Sequence, residues 1–388
     1  MNQAILTKEF QDFLKQNEQK NVKEIGLKKS PFPSISSAEI ARQLKGFHVA
    51  KNKFPTLYQT ENIFFPPSIN LEQASSEATA QYKSTLVKGK TLIDLTAGFG
   101  IDTMAFAQNF EDVFHIEQNE ELSEIVAHNA SILAPNLKTY TGTFQEYFNE
   151  NPTQKFDVIY LDPARRNSSG RKFILEDLEP NILEWIPIFF EKTEQIIIKL
   201  SPLLDISSTI QQIDHIAEIH IVALKNEVKD FLLILNQAHA TKNPILKAIN
   251  LETTQPIVSF QYEDEYSAHV QYSAVQRYIY EPNVAVLKTG AFKLICEKYN
   301  VMKLHQNTHL YTSNEVIQHF PGKIYHVDQH IENPKKEILK MKANLLVKNF
   351  NQPIDVIKKK FKIIDGGETT LIFTQSIEGF HLLKTSRV

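Results

Sequence analysis

The segment TLIDLTAGFGID, residues 91–102, restricts the possible folds of this chain more than any other. Its apolar residues, which end in Asp94, predict a buried parallel strand of an α/β sheet. Gly98 and Gly100 then allow a sharp turn and let a ligand approach where a Cβ atom would block it. A helix that begins near Asp102 directs the positive end of its dipole at the same crevice. The segment therefore predicts a strand, a ligand-binding turn and a helix in succession.

The residues around this turn distinguish two classes of ligand. A dinucleotide-binding turn requires a third small residue three positions after the second glycine, where this chain has Thr103. Carboxylates flank the turn, and they would repel a pyrophosphate but attract the ammonium group of an amino-acid cofactor. The pattern DLTAGFGID resembles motif I of class I S-adenosylmethionine-dependent methyltransferases, with a nicotinamide enzyme as the alternative. The resemblance implies S-adenosyl-L-methionine as cofactor, surrounded by Asp94, Thr96, Gly98, Gly100 and Asp102.

The composition is that of an ordinary globular protein. The 388 residues, 42% hydrophobic and 22% charged, suffice for two or three domains. A net charge of -3 offers no global attraction to nucleic acid, so any basic surface must be local. The single cysteine, Cys296, excludes an internal disulfide and a cysteine-built zinc site, and the 13 histidines show no metal-ligand spacing. That pattern predicts a protein without a metal. Because we find neither a signal-peptide pattern nor a membrane-length apolar run, we also expect a cytoplasmic protein.

Strands and helices are predicted to alternate between residues 91 and 200, which indicates a Rossmann-like sheet. Two further strands, IAEIHIVALK and FLLILN, are separated by NEVKD. Because that connection is too short for a right-handed crossover, the two strands should pair antiparallel. A mostly parallel α/β sheet with an antiparallel terminal hairpin is the arrangement of the class I methyltransferases.

Further candidate cofactor residues follow the second and third strands, at the edge of the sheet where ligands bind. Glu117 ends the strand VFHIE, where an acid can accept both ribose hydroxyls, although a solvated loop acid is the alternative. Gln118 or Asn119 would face the ribose or the adenine. Thr143 and Phe144 follow the third strand, where class I enzymes line the adenine pocket, and Phe144 is alternatively a core residue.

A polar helix, LEQASSEATAQYK, precedes the glycine turn. Similar segments in nucleic-acid amino-methyltransferases cap the methionine end of the cofactor. Because several of its polar residues fall within two turns, they can share one face. The candidates are Gln73, Ser75, Ser76 and Thr79, and a helix cap with a surface role is the alternative.

The second chemical signal is FDVIYLDPARRNSSG, residues 156–170. Its strand delivers Asp162 to the ligand-binding edge, and Pro163 stiffens the turn. Asp-Pro here resembles motif IV of amino-methyltransferases. An exocyclic amine is a poor nucleophile because its lone pair is spread into the ring. The Asp162 carboxylate and the Pro163 carbonyl can accept its two hydrogens, aim the lone pair and stabilise the developing positive charge.

The residues after Pro163 depart from the usual motif. Arg165 stands where the motif has an aromatic residue, so stacking on a base would fall to an arginine or to Phe65 or Tyr160. Arg165 and Arg166 are also suited to binding a phosphate, and ion pairs with acids at the sheet edge are the alternative. The candidate catalytic residues are therefore Asp162, Pro163 and Arg165, with Arg165 and Arg166 as substrate-binding candidates.

Several segments together resemble one bacterial family of class I methyltransferases: FPPSINLEQASSEATAQYK, DLTAGFGIDT, HIEQNEEL, YLDPARR and LKNEVKDFLLIL. The DPARR motif is specific to that group. The resemblance implies a helical region at 1–70, a methyltransferase domain at 71–240, a mixed β and ferredoxin-like region at 241–318, and a THUMP-like domain at 319–388. THUMP domains elsewhere deliver RNA, usually tRNA, to a catalytic domain, so the resemblance also implies an RNA substrate.

A local excess of lysine supports an RNA partner. Residues 334–362 contain nine lysines and two acids, a surplus of +7 on a chain of net charge -3. Such a surplus is typical of a face that binds phosphates, and a solvated lysine-rich surface is the alternative. The candidates for RNA contact are Lys358, Lys359 and Lys360.

These features predict an S-adenosylmethionine-dependent methyltransferase that modifies a base nitrogen in RNA, with tRNA or rRNA as the expected class. One alternative is a methyltransferase for a protein side-chain amide or a small molecule. Another is an RNA-binding protein whose methyltransferase core has lost catalysis.

Overall fold

The computed structural model describes residues 1–165 and 174–388. The chain forms two compact units. The first comprises Met1–Ala217 and Phe231–Lys242, and the second comprises Glu218–Asp230 and Asn243–Val388. Among the described residues, no helix has both the length and the apolar character needed to cross a membrane.

The first unit begins with helices whose apolar faces join the core of the following sheet. Ser36 and Glu39 form a reciprocal capping box that begins the longest of these helices. Phe10 and Leu44 belong to the same buried cluster as Leu92 of the first strand. The N-terminal helices therefore share a hydrophobic core with the sheet. They are α1 (Lys8–Gln16), α2 (Val22–Gly26), α3 (Ser37–Lys53), α4 (Pro55–Gln59), α5 (Ser68–Gln73) and α6 (Glu77–Ser84).

Strands and helices then alternate along the chain, as the sequence predicts. The strands are β1 (Thr91–Asp94), β2 (Asp112–Glu117), β3 (Leu137–Thr141), β4 (Val158–Leu161), β5 (Ala164–Arg165), β6 (Leu178–Glu179), β7 (Gln195–Leu200), β8 (Ile216–Leu224) and β9 (Glu227–Asn236). The helices between them are α7 (Ile101–Phe106), α8 (Glu120–Leu133), α9 (Phe144–Glu150), α10 (Ile182–Phe189) and α11 (Ile206–Gln212).

The sheet of the first unit has the order β3-β2-β1-β4-β7-β9. Neighbouring strands from β3 to β7 are parallel, whereas β9 runs antiparallel to β7. The strands β8 and β9 form the predicted antiparallel hairpin, whose turn residues Lys225 and Asn226 have φ angles of 50° and 67°. Positive φ at both turn positions matches the right-handed twist of the paired strands. The predicted fold class is confirmed, and the carboxyl ends of β1, β2, β4 and β7 share one edge.

The second unit is built around a seven-stranded sheet in the order β13-β14-β12-β15-β18-β17-β16. The strands of this sheet are β12 (Tyr278–Pro282), β13 (Met302–His305), β14 (Thr308–Ser313), β15 (Gly322–His330), β16 (Asn344–Val347), β17 (Thr369–Ser376) and β18 (Gly379–Arg387). The second unit also contains β10 (Ile245–Leu251) and β11 (Val258–Gln261), which lie outside this sheet. Its helices are α12 (Asp264–Ser267), α13 (Val284–Thr289), α14 (Leu294–Tyr299), α15 (Pro334–Glu337) and α16 (Ile354–Phe361). The strand β15 pairs with both β12 and β18, so one sheet joins the residues before 319 to those after it.

Candidate cofactor and catalytic site

A crevice of about 990 Å³ lies where the parallel strands of the first unit end. This is the position at which open α/β sheets bind their ligands. Its wall combines the glycine turn, the residues after β2, β3 and β4, the end of β7, and part of the polar segment before α6. The candidates that line it are Gln73, Ser75, Asp94, Thr96, Gly98, Gly100, Asp102, Glu117, Gln118, Asn119, Thr143, Phe144, Tyr160, Asp162, Pro163 and Arg165.

The two glycines of the turn are required for different reasons. Gly98 has φ of +55°, and a Cβ atom there would meet no atom closer than the Thr96 carbonyl oxygen at 4.0 Å. The space beside Gly98 is therefore open to a ligand. Gly100 has φ of +74°, and its Cβ atom would lie 2.9 Å from Val126, so this glycine allows close packing against α8.

Glu117 links the turn to the end of β2. Its carboxylate accepts hydrogen bonds from the backbone N–H groups of Gly98, at 3.1 Å, and Asn119, at 2.7 Å. Burial raises the pKa of Glu117, and these donors oppose that rise. The side chain thus lines the crevice while it holds the turn in place, unlike a solvated loop acid.

Asp94 is almost fully buried, at 1% exposure. Its carboxyl group accepts hydrogen bonds from the Thr103 hydroxyl at 2.6 Å and from the Thr96 backbone N–H at 3.2 Å. Burial raises the pKa of Asp94 to about 8, since desolvation outweighs these two donors. Thr103, which departs from the dinucleotide pattern, therefore orients the acid that ends β1.

Asp102 is the centre of a buried polar network. The fully buried Lys83 ammonium lies 2.9 Å from Asp102 Oδ1. The hydroxyls of Ser75 and Tyr160 donate to Asp102 Oδ2 at 2.8 and 2.7 Å, and Lys83 also donates to Ser75 Oγ at 2.7 Å. Burial favours the neutral acid, but Lys83 and Lys199 outweigh it and lower the pKa of Asp102. This carboxylate connects the polar segment to β4 as well as lining the crevice.

Asp162 follows β4 and is held from two sides. Its backbone N–H donates to Thr96 Oγ1 at 2.7 Å, and Lys199 Nζ lies 2.5 Å from its Oδ2. Burial raises the pKa of Asp162, and the Lys199 ammonium opposes the rise. Next to it, β5 pairs antiparallel with β6, which fixes the backbone at Arg165. Arg166 lies outside the described residues.

Comparisons with known proteins identify the family. A crystal structure of a candidate methyltransferase from Porphyromonas gingivalis W83 matches with a TM-score of 0.89 and 30% sequence identity, and the match covers 100% of this chain and 98% of that chain. This chain belongs to that methyltransferase family. A family model described as RNA cap guanine-N2 methyltransferase matches residues 89–237, and one described as a ferredoxin-like domain matches residues 278–321.

More distant structures add nothing beyond these matches. An rRNA methylase from Streptococcus thermophilus matches with 13% identity and a TM-score of 0.30, over 41% of this chain and 93% of that chain. TrmK of M. capricolum, solved with S-adenosylhomocysteine, matches with 13% identity and a TM-score of 0.33, over 42% of this chain and 69% of its own. Both are too remote to bear on the chemistry of this chain. No curated protein sequence matches it.

The cofactor of this methyltransferase is S-adenosylmethionine, and the crevice fits that molecule. Open space beside Gly98 can admit the ligand, and the carboxyl groups of Glu117 and Asp94 offer hydrogen-bond acceptors for ribose hydroxyls and an ammonium group. Among the described residues, no group of histidine, cysteine or acidic side chains is arranged to hold a metal ion. The match to a methyltransferase family decides against the nicotinamide alternative.

Some of the residues predicted to bind the cofactor make hydrogen bonds that cap helices. Ser76 accepts the Thr79 backbone N–H and so caps α6, and neither residue is among those lining the crevice. Thr143 caps α9 through a reciprocal pair with Glu146, and it also lines the crevice. Phe144 lines the crevice too, although it is 5% exposed.

The aromatic candidates, Phe144 for the adenine pocket and Phe65 and Tyr160 for base stacking, lie in the protein interior. Phe144 packs edge-on against Trp185 and Phe189. Phe65 is 2% exposed and packs against Gly46, away from the residues that line the crevice. Tyr160 does line it, but its hydroxyl is bound to Asp102.

Sequence reasoning missed two lysines of the methyltransferase site, Lys83 and Lys199. Lys199 interrupts the apolar strand QIIIKL at its carboxyl end, and that interruption is a usable signal because β7 neighbours β4. Lys83 lies on the buried side of α6, and its burial follows from packing that sequence spacing does not reveal.

We expect Lys83→Met to destabilise the protein by about 3–5 kcal/mol, because it leaves the Asp102 carboxylate buried without its ion-pair partner. Urea-induced unfolding measures this loss. The double variant Lys83→Met/Asp102→Asn should recover part of it, since no uncompensated charge remains. As a matched control, Lys138→Met removes an exposed pair with Asp112 and should cost about 1 kcal/mol or less. Equal losses of unfolding free energy in Lys83→Met and Lys138→Met would show that the buried ion pair contributes no more to stability than the exposed one.

Proposed function

We propose that this protein transfers the methyl group of S-adenosylmethionine to a base nitrogen in RNA. One observation supports the proposal most. Asp162 and Pro163 line the same crevice as the glycine turn, at the end of the neighbouring strand. An amine that donates hydrogen bonds to the Asp162 carboxylate and the Pro163 carbonyl would have its lone pair aimed into that crevice.

The proposed roles divide the crevice into two parts. Glu117, Gln118, Thr143 and Phe144 would surround the adenosine half of the cofactor, and Gln73 and Asp94 would face its methionine end. When bound, the cofactor supplies an electrophilic methyl group. Asp162 then stabilises the positive charge that develops on the acceptor nitrogen. Arg165, which also lines the crevice, would bind a phosphate or stack on the base.

The family model supports an exocyclic amine as the acceptor, because its description names guanine N2 of an RNA cap. For this chain we propose the broader class, a base nitrogen in tRNA or rRNA. Nucleoside mass spectrometry of RNA from a deletion strain and its parent would test the proposal. The proposal predicts that one methylated base disappears from the RNA of the deletion strain and returns when purified protein and cofactor are added to that RNA. Methyl transfer to the protein or small-molecule fraction alone would refute it.

We also propose that residues 319–388 are a THUMP-like part of the chain that binds RNA. This part does not have a sheet of its own, because β12 pairs with β15 across residue 318. The divisions at residues 70 and 240 belong to the same proposal. The basic helix α16 supports this role. Lys359 and Lys360 are exposed, Lys360 lies over the Phe361 ring, and Lys358 pairs with Asp365. The exposed ammonium groups are available to phosphates. A cytoplasmic location, where such RNA is found, is part of the same proposal.

Changing Lys358, Lys359 and Lys360 together to glutamate should weaken binding to many RNAs alike, because phosphate contacts carry no sequence information. The slope of log affinity against log salt should become shallower by roughly one unit per lost contact. Filter binding across a salt series measures both quantities. The charge-matched control changes the exposed lysines Lys23, Lys28 and Lys29 to glutamate and should leave the slope unchanged. A triple variant with parental affinity and slope would show that α16 is a solvated face.

A further inference from the structure

Lys199 and Asp162 form an ion pair in the wall of the crevice, next to the proposed methyl acceptor. Lys199 Nζ lies 2.5 Å from Asp162 Oδ2, and the Lys199 side chain is 13% exposed. Both residues line the crevice, at the carboxyl ends of the adjacent parallel strands β7 and β4. A lysine in an otherwise apolar strand costs desolvation, so its placement beside the acid calls for a compensating role.

The surroundings of Asp162 explain what that role is. Burial favours the neutral carboxylic acid, which has one fewer acceptor site than the carboxylate. The Asp102 carboxylate repels a negative charge at Asp162. Lys199 and Lys83 oppose this repulsion. The titratable and charged groups that face Asp162 are thus Asp94, Asp102, Lys83, Lys199 and Tyr160, with Arg165 and Glu179 also in the crevice wall.

We propose that Lys199 is a positioning residue that holds the Asp162 carboxylate ionised and oriented toward the methyl acceptor. The proposal rests on the proposed function for the role of Asp162. Lys199 keeps the Asp162 carboxylate ionised, so both of its oxygens can accept hydrogen bonds. Lys199 Nζ holds one of them, Oδ2. The hydrogen bond from the Asp162 backbone N–H to Thr96 Oγ1 fixes the backbone that directs the other oxygen. The ammonium group also makes the pair neutral overall, so the crevice does not carry an extra negative charge beside the cofactor's positive sulfur.

The first test is a pH profile of kcat/KM for methyl transfer to RNA from a deletion strain. Protonation of Asp162 removes the acceptor, so activity should fall on the acid side. Removing Lys199 raises the pKa of Asp162, so the acid limb of Lys199→Met should move to higher pH. We expect a rate loss of about tenfold or more at neutral pH that narrows as the pH rises. Lys199→Arg should return the limb toward the parental position.

The control Lys138→Met makes the same substitution in β3 of the same sheet, outside the crevice, and should leave the profile unchanged. A Lys199→Met profile that is lower at every pH without a displaced acid limb would overturn the proposal, because a structural defect lowers the rate uniformly. If Lys199→Met does not fold, Lys199→Gln, which keeps a donor and loses the charge, is measured in its place and should show the same displacement.

The second test needs no methyl acceptor. Calorimetry compares binding of S-adenosylmethionine, whose sulfur is positive, with binding of S-adenosylhomocysteine, whose sulfur is neutral. The measurement is made at a pH above the displaced acid limb of Lys199→Met, where Asp162 is ionised with or without Lys199. There Lys199→Met leaves an unbalanced carboxylate, so it should raise the affinity ratio in favour of the positive ligand by about threefold to tenfold. Asp162→Asn should lower that ratio, and Asp162→Asn/Lys199→Met should restore it. If the ratio of the two affinities is unchanged in all three variants, the positioning role of Lys199 is overturned. If the ratios change as expected but the protein does not methylate RNA, only the proposed substrate is refuted.

Discussion

Asp162→Asn is expected to slow methyl transfer by at least about 100-fold, the loss seen when one preorganised polar group at a reacting centre is removed. The amide keeps the shape of the side chain but cannot accept hydrogen bonds at both of its terminal atoms. Affinity for S-adenosylhomocysteine should stay close to the parental value, because Asp162 is expected to contact the methyl acceptor. Single-turnover kinetics and calorimetry on the same preparation separate these two quantities.

Two comparisons make this result specific. Asp162→Ala removes the side chain and should lose at least as much activity, whereas Asp112→Asn changes an exposed acid of β2 and should lose little. If Asp162→Asn lowers cofactor affinity and turnover by the same factor, Asp162 is a cofactor-binding or structural residue. That outcome would remove the main support for an amine acceptor.

Gly98→Val is expected to weaken binding of S-adenosylmethionine by about 100-fold or more. A Cβ atom at Gly98 enters open space, so the branched side chain would occupy the volume that the cofactor needs. The φ of +55° also lies in the left-handed region, where a valine is strained by about 1–2 kcal/mol. Calorimetry with S-adenosylmethionine and S-adenosylhomocysteine measures the loss.

The strain and the blocked volume can be separated with a matched glycine. Gly290 has φ of +77° and nothing within 4 Å of an added Cβ atom, but it lies at the end of α13 in the second unit. Gly290→Val should therefore reproduce the cost in unfolding free energy and leave cofactor affinity unchanged. Parental affinity in Gly98→Val would place the cofactor elsewhere in the fold.

The sequence predicts the architecture well because short local patterns specify its strands, turns and helices. An apolar run with an acid at its end, followed by two glycines, specifies strand, turn and helix through backbone sterics and burial alone. The short connection NEVKD likewise specified the β8–β9 hairpin, since no parallel crossover fits that length. The positions of Asp94, Glu117 and Asp162 at strand ends followed from the same strand assignments.

The partners of those acids did not follow from local patterns. Asp102 was expected to face the cofactor ammonium, and the structure binds its two oxygens to Lys83, Ser75 and Tyr160. These partners are 19 to 58 residues away along the chain in sequence number. Which of several polar side chains pair depends on how helices pack on the sheet, and one sequence does not specify that packing.

Local patterns in the sequence are enough to predict a class I methyltransferase sheet with a ligand-binding turn and an Asp-Pro segment at the neighbouring strand end. The choice of which charges are neutralised at that edge depends on the tertiary structure. That structure places Lys199 beside the partly exposed Asp162 and the fully buried Lys83 beside Asp102, in surroundings where water screens the charges less than at the surface. Removal from water is what gives such pairs their influence on ionisation, and burial is a property of the packed fold, whereas strand and turn preferences are properties of the local chain.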